Sequence, residues 1–309
     1  MVKSIWLGVA GLLFSVMVQA QDYIPLQYHF SKGDRFEMQR QSTRDSYLQI
    51  QGVSQRTTQQ LNDTLLFTIA SVNNGTATIS LQFKNIFLLA SGDNQQMSIN
   101  TQSGGKDIFN QVFRKIINKP FTITMMPGGI IKNISGLNEI LQDMQETVAK
   151  KSAAERAAFK TLLEQQFGPE ALKTSLQEAL PQYPDHSVHT GDSWTNFINT
   201  GGALSGRVQY YWKMDYGDKY SINLSSKGNF STDKDKVVPL GNNMEGNVVV
   251  TGELQGRYAI DPGSGWPTLC VQHTEVKGNY IYKPNEKMKN GLTVPVRVVS
   301  DEQYKILHL

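Results

Sequence analysis

The stretch LLFTIASVNNGTATISLQF, residues 65–83, decides the fold class. From Ala77 to Phe83, apolar residues alternate with threonine, serine and glutamine, which is the pattern of a strand that buries one face. Asn74 and Gly75 lie between this run and an earlier apolar run, and both residues tolerate the positive φ of a tight hairpin turn. We therefore expect a protein built mainly from antiparallel β-strands.

Four sequence elements recur in the same order along the chain, which indicates an internal duplication. If the two halves are related, Phe36 and Trp194 should occupy equivalent buried positions, and Phe121 aligns with Tyr258 in the last element. The elements are a Gly-Asp turn with an aromatic residue after it (33–36 and 191–194), two strands joined by a turn (65–83 and 208–224), and an apolar strand that ends in a Pro-Gly turn (121–129 and 258–265).

Between the two halves, the spacing of apolar residues changes to that of amphipathic helices. Ser152 and Glu155 form a capping box that predicts a helix start, and Gly168-Pro169 predicts its end. The polar faces mix acidic and basic residues, which favours packing on a sheet over binding to a membrane surface. The predicted helices bear apolar stripes at 108–116, 137–148, 159–167 and 172–176.

These patterns together predict an α+β protein with two related β-rich halves and a helical insert packed on an open-barrel or sandwich-like sheet. We divide the chain into residues 1–20, 21–135 with a short helix near 106–118, a helical insert at 136–180, and 181–309. No linker rich in Pro, Ser and Gly separates the halves, so we expect one compact unit.

Residues 1–20 have the pattern of a secretory signal peptide. Lys3 precedes an apolar run from Ile5 to Val18, and Ala20 provides the small residue before the cleavage point. The run is shorter than the roughly 17–25 residues of a membrane-spanning helix. We expect cleavage before Gln21 and a mature protein in the periplasm or outside the cell, with no transmembrane segment left.

Composition narrows the class of protein further. The 39% of hydrophobic residues argues against disorder, and a net charge of +3 is too small to predict a nucleic-acid partner. The single cysteine, Cys270, cannot form an internal disulfide, so the core must hold the fold. Its apolar neighbours favour a buried small side chain over a catalytic thiol.

The motifs that usually indicate chemistry are missing from the sequence. His186 and His189 precede Asp192, but their spacing brings two rings to one face only on a helix, and Pro184 predicts an extended segment here. Asp34 and Asp192 recur in both halves, which turn formation explains better than a catalytic pair. We predict no catalytic residue, no cofactor and no metal site.

Several motifs resemble an exported bacterial family that has only a domain-of-unknown-function label and is common in the Bacteroidota. The motifs are Tyr28–Asp34, Pro127–Gly129, Phe167–Leu172 and Pro184–Trp194, which span nearly the whole mature chain. The resemblance implies an envelope location and no activity or substrate. Some members of such families are lipoproteins, and this chain departs from them because no cysteine follows the signal peptide.

We therefore expect a non-enzymatic binding or carrier protein for a lipid or another apolar or amphipathic ligand. Tyr210 and Trp212, on one face of a predicted strand, are the candidate ligand-binding residues, beneath the helices at 108–117, 137–148 and 159–167. The same aromatic side chains would also suit a solid core. A structural or protein-interaction module with an envelope partner is the alternative, and an enzyme with a scattered site is the third hypothesis.

Overall fold

A computed structural model describes residues 23–92, 95–105, 107–201, 204–240, 244–285 and 289–309. The predicted signal peptide, residues 1–20, lies outside the described residues. The strands are β1 Arg35–Ile50, β2 Val53–Asn73, β3 Thr76–Gly92, β4 Gln95–Asn100, β5 Phe121–Met125, β6 Ile131–Ser135, β7 Ser193–Thr200, β8 Gly206–Gly217, β9 Ile222–Thr232, β10 Val237–Pro239, β11 Glu245–Ile260, β12 Pro267–Tyr282 and β13 Leu292–His308. The helices are α1 Ile108–Phe113, which continues as a 3-10 turn Arg114–Ile116, then α2 Leu137–Thr147, α3 Ala153–Phe167 and α4 Pro169–Ala179.

All strands belong to one antiparallel sheet with the order β6-β5-β3-β2-β1-β13-β12-β11-β9-β8-β7. Two short strands pair outside this path, β4 with β3 and β10 with β11. Within the described residues no pairing joins the edge strands β6 and β7, so the sheet is open. Helix α4 contacts both edge strands and therefore lies across the gap between them. This confirms the predicted α+β class, with the helical insert packed on the sheet.

The strand order contains the same five-strand run twice. The first run is β6-β5-β3-β2-β1 and the second is β12-β11-β9-β8-β7, with β13 between them. Phe36 and Trp194 are each the second residue of the strand that comes first in sequence in their run, β1 and β7, and the two residues are 1% and 8% exposed. Phe36 faces Phe67 across the β1–β2 pair as Trp194 faces Trp212 across the β7–β8 pair. The strand order is the one that a duplication would produce, and the duplication itself stays a prediction.

Local sequence explains the ends of the main elements. Asn74 and Gly75 have φ values of 49° and 75° and form the turn between β2 and β3, as predicted. Ser152 and Glu155 form the predicted capping box at the start of α3. Helix α1 is shorter than its apolar stripe, since Ile116 lies in the 3-10 turn that follows it.

The core lies between the inner face of the sheet and the helices. Cys270 is fully buried there, and burial raises the pKa of its thiol well above the ordinary value. A thiol that is buried and protonated is a poor nucleophile, which agrees with the predicted role as a small core side chain. One aromatic cluster of the core surrounds Trp266, which contacts Tyr28, Phe30 and Phe67 and stacks on Phe36 with ring centroids 4.3 Å apart.

Candidate functional site

Charged residues interrupt the apolar inner face of the sheet at three strands. In β1, Arg40 and Arg44 continue the inward series that begins with Phe36. In β2, Asp63 takes an inward position between two buried leucines. In β13, Glu302 stands two residues before the buried Tyr304. Alternation in the strands therefore directs these polar side chains into the interior.

Arg40 and Asp63 form a buried ion pair directly across the β1–β2 ladder. Two guanidinium nitrogens of Arg40, Nε at 3.0 Å and Nη2, donate to Oδ2 of Asp63. A third nitrogen, Nη1, donates to Oγ of Ser175 on α4 at 2.7 Å. Burial raises the pKa of the Asp63 carboxyl, and the guanidinium opposes that shift. The pair satisfies Arg40 and ties α4 to the sheet.

Helix α4 is also fixed at its C-terminal end by two polar side chains, Tyr258 and Gln272. The hydroxyl of Tyr258 donates to the backbone carbonyl of Glu178 at 3.1 Å, and Nε2 of Gln272 donates to the same carbonyl. Gln272 also donates to the Tyr258 hydroxyl at 2.7 Å. Carbonyls in the last turn of a helix have no partner within it, so these side chains satisfy an otherwise unpaired acceptor.

A cavity of about 160 Å³ lies between α4, the end of α3 and the inner face of the sheet. Together with its solvent-filled mouth, the empty space amounts to about 970 Å³. Its lining combines an apolar wall with hydroxyl and charged groups. The apolar residues are Leu204, Val208, Phe230, Leu254, Val276 and Val298, and the charged residues are Arg40, Arg44, Glu178 and Glu302.

The charged groups of the cavity differ in how they are paired. Glu302 accepts a hydrogen bond from the Tyr304 hydroxyl. Burial, and then the nearby Glu302, raises the pKa of Glu178 from its ordinary 4.5 to about 8. Arg44 makes no hydrogen bond or ion pair through its side chain within the described part of the chain, although it lines the cavity. The site thus combines a carboxyl whose pKa is raised, Glu302 bonded to Tyr304, and a guanidinium without an ion-pair partner among the described residues.

Tyr210 and Trp212, the predicted ligand-binding residues, are buried in the core next to this cavity and do not line it. Nε1 of Trp212 donates to Oδ1 of Asn196 at 2.7 Å, and its ring stacks with Trp194. The Tyr210 hydroxyl is buried without a hydrogen-bond partner among the described residues. A ligand contact by Tyr210 or Trp212 stays a prediction, and the cavity lies against α3 and α4 rather than against α1 and α2.

The histidines that we considered as metal ligands hold different partners. Nδ1 of His186 lies 3.2 Å from Asp185, and Nδ1 of His189 lies 3.2 Å from Asp192. Asp192 also accepts a hydrogen bond from the backbone N–H of His189, as expected of a turn residue. No group of three or more potential metal ligands comes together in the described ranges of the chain.

Sequence reasoning missed Arg40, Asp63, Glu178 and Glu302. A detectable pattern was present in the strands, because a charged residue at an inward position of an alternating strand must be paired or must serve a site. Asp63 meets that criterion between Leu61 and Leu65. Glu178 gives no such indication, since its role depends on how α4 lies over the sheet.

Among solved structures, this chain is weakly similar to several proteins of very different sequence. OpdQ of Pseudomonas aeruginosa matches at 8% identity and a TM-score of 0.23, covering 91% of this chain and 100% of its own. OccK7 (OpdD) of the same organism matches at 8% identity and a TM-score of 0.24, with the same coverage of both chains. A DUF1329 family protein from Desulfovibrio piger matches at 10% identity and a TM-score of 0.19, covering 88% of this chain and 84% of its own. At these TM-scores the similarities support no argument about fold or function.

Sequence comparison is more informative about the family. No curated protein sequence matches this chain. Residues 49–267 match DUF6263, a family of unknown function. The matched region runs from β1 to the start of β12 and includes the whole helical insert, so the chain belongs to this family.

Proposed function

We propose that this member of the DUF6263 family is an exported, non-enzymatic envelope protein that binds an amphipathic ligand in the cavity beneath α4. The observation behind the proposal is the lining of that cavity, which places a wall of valine, leucine and phenylalanine beside an unpaired guanidinium. Ligand sites in proteins are commonly concave and apolar, with a few polar groups that orient the ligand.

The apolar wall supports binding of a hydrocarbon group. Burial of apolar surface contributes about 25 cal/mol per Å², so even a short chain against Val208, Phe230 and Leu254 would gain several kcal/mol. A cavity of about 160 Å³ is close to the roughly 150 Å³ that accepts benzene in an engineered protein. A longer ligand would extend into the mouth of the cavity, so we propose partial rather than complete enclosure.

The partners of Asp63 and Glu302 favour binding over catalysis. Asp63 is held by Arg40, and Glu302 is held by Tyr304. Asp34 and Asp192 take part in the Gly-Asp turns. The carboxyl groups of Asp63, Glu302 and Asp192 are thus engaged in the fold, which supports a cavity that binds a ligand without transforming it.

Export is supported by the pattern of residues 1–20, with Lys3, the apolar run and Ala20 in the order of a signal peptide. None of the described helices is both long enough and apolar enough to cross a membrane. The test is the intact mass of the protein recovered from the periplasm of a Gram-negative host. Cleavage before Gln21 is expected, and a periplasmic product that retains residues 1–20 would contradict it.

The binding proposal is tested by native mass spectrometry on protein purified without detergent, followed by solvent extraction. Val276→Phe fills the cavity, whereas Val271→Phe adds the same group on the exposed face of the same strand β12, where Val271 is 46% exposed. We expect an extractable ligand with the wild type and Val271→Phe, and its loss in Val276→Phe. An empty wild type that also binds no added fatty acid would refute the proposal.

An interaction module is the second candidate, and exposed aromatic side chains at the sheet edge favour it. Phe197 on β7 and Tyr211 on β8 are 48% and 45% exposed, and the guanidinium of Arg207 lies 3.9 Å from the Phe197 ring centroid. The test is Phe197→Ser combined with Tyr211→Ser. Loss of co-sedimentation with the cell envelope, with the cavity ligand retained, would favour this second function.

A further inference from the structure

Arg44 and Arg40 share one face of β1 but differ in what they contact. Arg40 donates to Asp63 and Ser175, and it has an acceptor for three of its nitrogens. Arg44 lies opposite Ser300 in the β1–β13 register and lines the cavity, and within the described residues its guanidinium donates to no acceptor. A cation that is partly removed from water and unpaired is costly, so an arginine in this position is better satisfied by an anion.

No acid of the cavity forms an ion pair with Arg44 within the described residues, although Glu178 and Glu302 line the same space. Glu302 accepts a hydrogen bond from the Tyr304 hydroxyl. Burial, and then Glu302, raise the pKa of Glu178 to about 8 against the opposing charges of Arg44 and Arg40, which favours its protonated form at pH 7. With Arg40 paired to Asp63, the Arg44 guanidinium is left without an ion-pair partner among the described residues. The neutral carboxyl of Glu178 can instead donate a hydrogen bond.

Two neighbouring inward rows of residues run across the strands at Arg44. The row that contains Arg44 bears hydroxyl groups, and the adjacent row is apolar. Ser300 faces Arg44, and Thr274 faces Ser300 in the β12–β13 register. The adjacent inward row contains Val298 paired with Val276. An anionic head at Arg44 would therefore lie next to hydroxyl groups, with its hydrocarbon chain against the neighbouring valines.

We infer that the ligand is a monoanionic amphiphile with a carboxylate head, and that Arg44 binds this head through its guanidinium. The inference rests on the proposed function and adds the class of ligand. A carboxylate matches the fork of an arginine through two parallel hydrogen bonds, and a single unpaired cation matches a single negative charge.

The test compares octanoate with octanol by isothermal titration calorimetry at pH 7, on protein freed of bound lipid. We expect octanoate to bind the wild type at least 10-fold more tightly than octanol. Arg44→Gln should remove this preference and leave octanol binding unchanged, whereas Arg257→Gln, on the exposed outer face of β11, should preserve it. Octylamine should bind the wild type more weakly than either compound.

The outcomes separate this inference from the proposed function. If neither compound binds the wild type, the cavity is no amphiphile site and the proposed function fails with the inference. If octanol and octanoate bind equally, the cavity site stands and the carboxylate head is wrong. Tighter binding of octyl phosphate than of octanoate would assign the head to a phosphate instead. If Arg44→Gln does not fold, the preference for octanoate over octanol is measured in the wild type and in Arg44→Lys, and these two measurements decide the question.

Discussion

Ile69 and Met214 hold the same place in the backbone hydrogen bonding of the two halves. The N–H of Ile69 donates to the carbonyl of Asp34, and the N–H of Met214 donates to the carbonyl of Asp192, each at 2.9 Å. In return the Ile69 carbonyl accepts from the Gly33 N–H at 2.9 Å, and the Met214 carbonyl accepts from the N–H of Gly191 at 2.7 Å. Each residue is followed by a bulge in its strand pair.

This shared pattern corrects the register that the sequence suggested for the last repeated element. Ile69 pairs with Ile79, and Ile79 pairs with Ile123. Met214 pairs with Leu224, which pairs with Tyr258. Ile123, and not Phe121, therefore stands in the place of Tyr258. The two aromatic residues look alike in the sequence, but they lie two positions apart in the hydrogen-bonded register.

The two Gly-Asp turns should respond equally to the same substitution. Gly33 and Gly191 have φ values of 96° and 98°, and a Cβ atom at either position would meet nothing within 4 Å. Gly33→Ala and Gly191→Ala should therefore each lower the free energy of unfolding by about 1–2 kcal/mol through backbone strain alone. Urea denaturation measures this, with Asn at each position as the milder control. A large effect at only one turn would contradict their equivalence.

Asp63→Asn should strongly destabilise the protein. The substitution leaves the Arg40 guanidinium buried without its counterion, which typically costs about 3–5 kcal/mol. The matched control is Asp45→Asn in the exposed Asp45–Arg56 pair, which should change the stability little. Both effects are measured by urea denaturation at pH 7. A similar, small change in the two variants would show that the buried pair does not hold α4 and the sheet together.

Glu178→Gln should make the folding stability less sensitive to a rise in pH between about 4.5 and 8. The folded-state pKa of Glu178 is raised to about 8 from an ordinary 4.5, so the folded protein favours the protonated carboxyl. Its contribution is complete below pH 4.5 and is lost as the pH rises to about 8, because the unfolded chain releases this proton first.

Glutamine cannot ionise, so the variant should gain stability relative to wild type at pH 9 and not at pH 4. The melting temperature measured across this range checks the prediction. Glu253→Gln, an exposed site on the outer face of β11, is the control and should leave the difference between the two pH values unchanged. Parallel curves for wild type and Glu178→Gln would contradict the raised pKa. The titratable and charged groups near Glu178 come from several elements. They are Arg40, Arg44, Glu302, the hydroxyls of Tyr210, Tyr258 and Tyr304, and the thiol of Cys270.

Tyr210→Phe and Trp212→Phe should have opposite effects on stability. The Tyr210 hydroxyl is buried without a partner among the described residues, so its removal should leave the stability unchanged or raise it by about 1 kcal/mol. Trp212→Phe removes the hydrogen bond to Asn196 and leaves a void, which should cost more than about 1 kcal/mol. Thermal unfolding compares them. Weaker octanoate binding in Tyr210→Phe would support the predicted ligand contact of that hydroxyl.

Local patterns in the sequence were sufficient for the class of fold. The alternation from Ala77 to Phe83, the Asn74-Gly75 turn and the capping box at Ser152 each act within a few residues, so each could be predicted directly from the sequence. The same reasoning placed the helical insert between two β-rich regions. These features depend on backbone preference and on one buried face, and both are properties of short segments.

The cavity was decided by tertiary structure alone. Arg40 meets Asp63 because β1 pairs with β2, and Glu178 meets Glu302 because α4 crosses the gap in the open sheet. Neither the distance between two such groups nor the burial of each follows from their spacing in the sequence. The pKa of Glu178 and the unpaired state of Arg44 arise from desolvation and from neighbours many residues away, and the sequence by itself determined only that these residues were present.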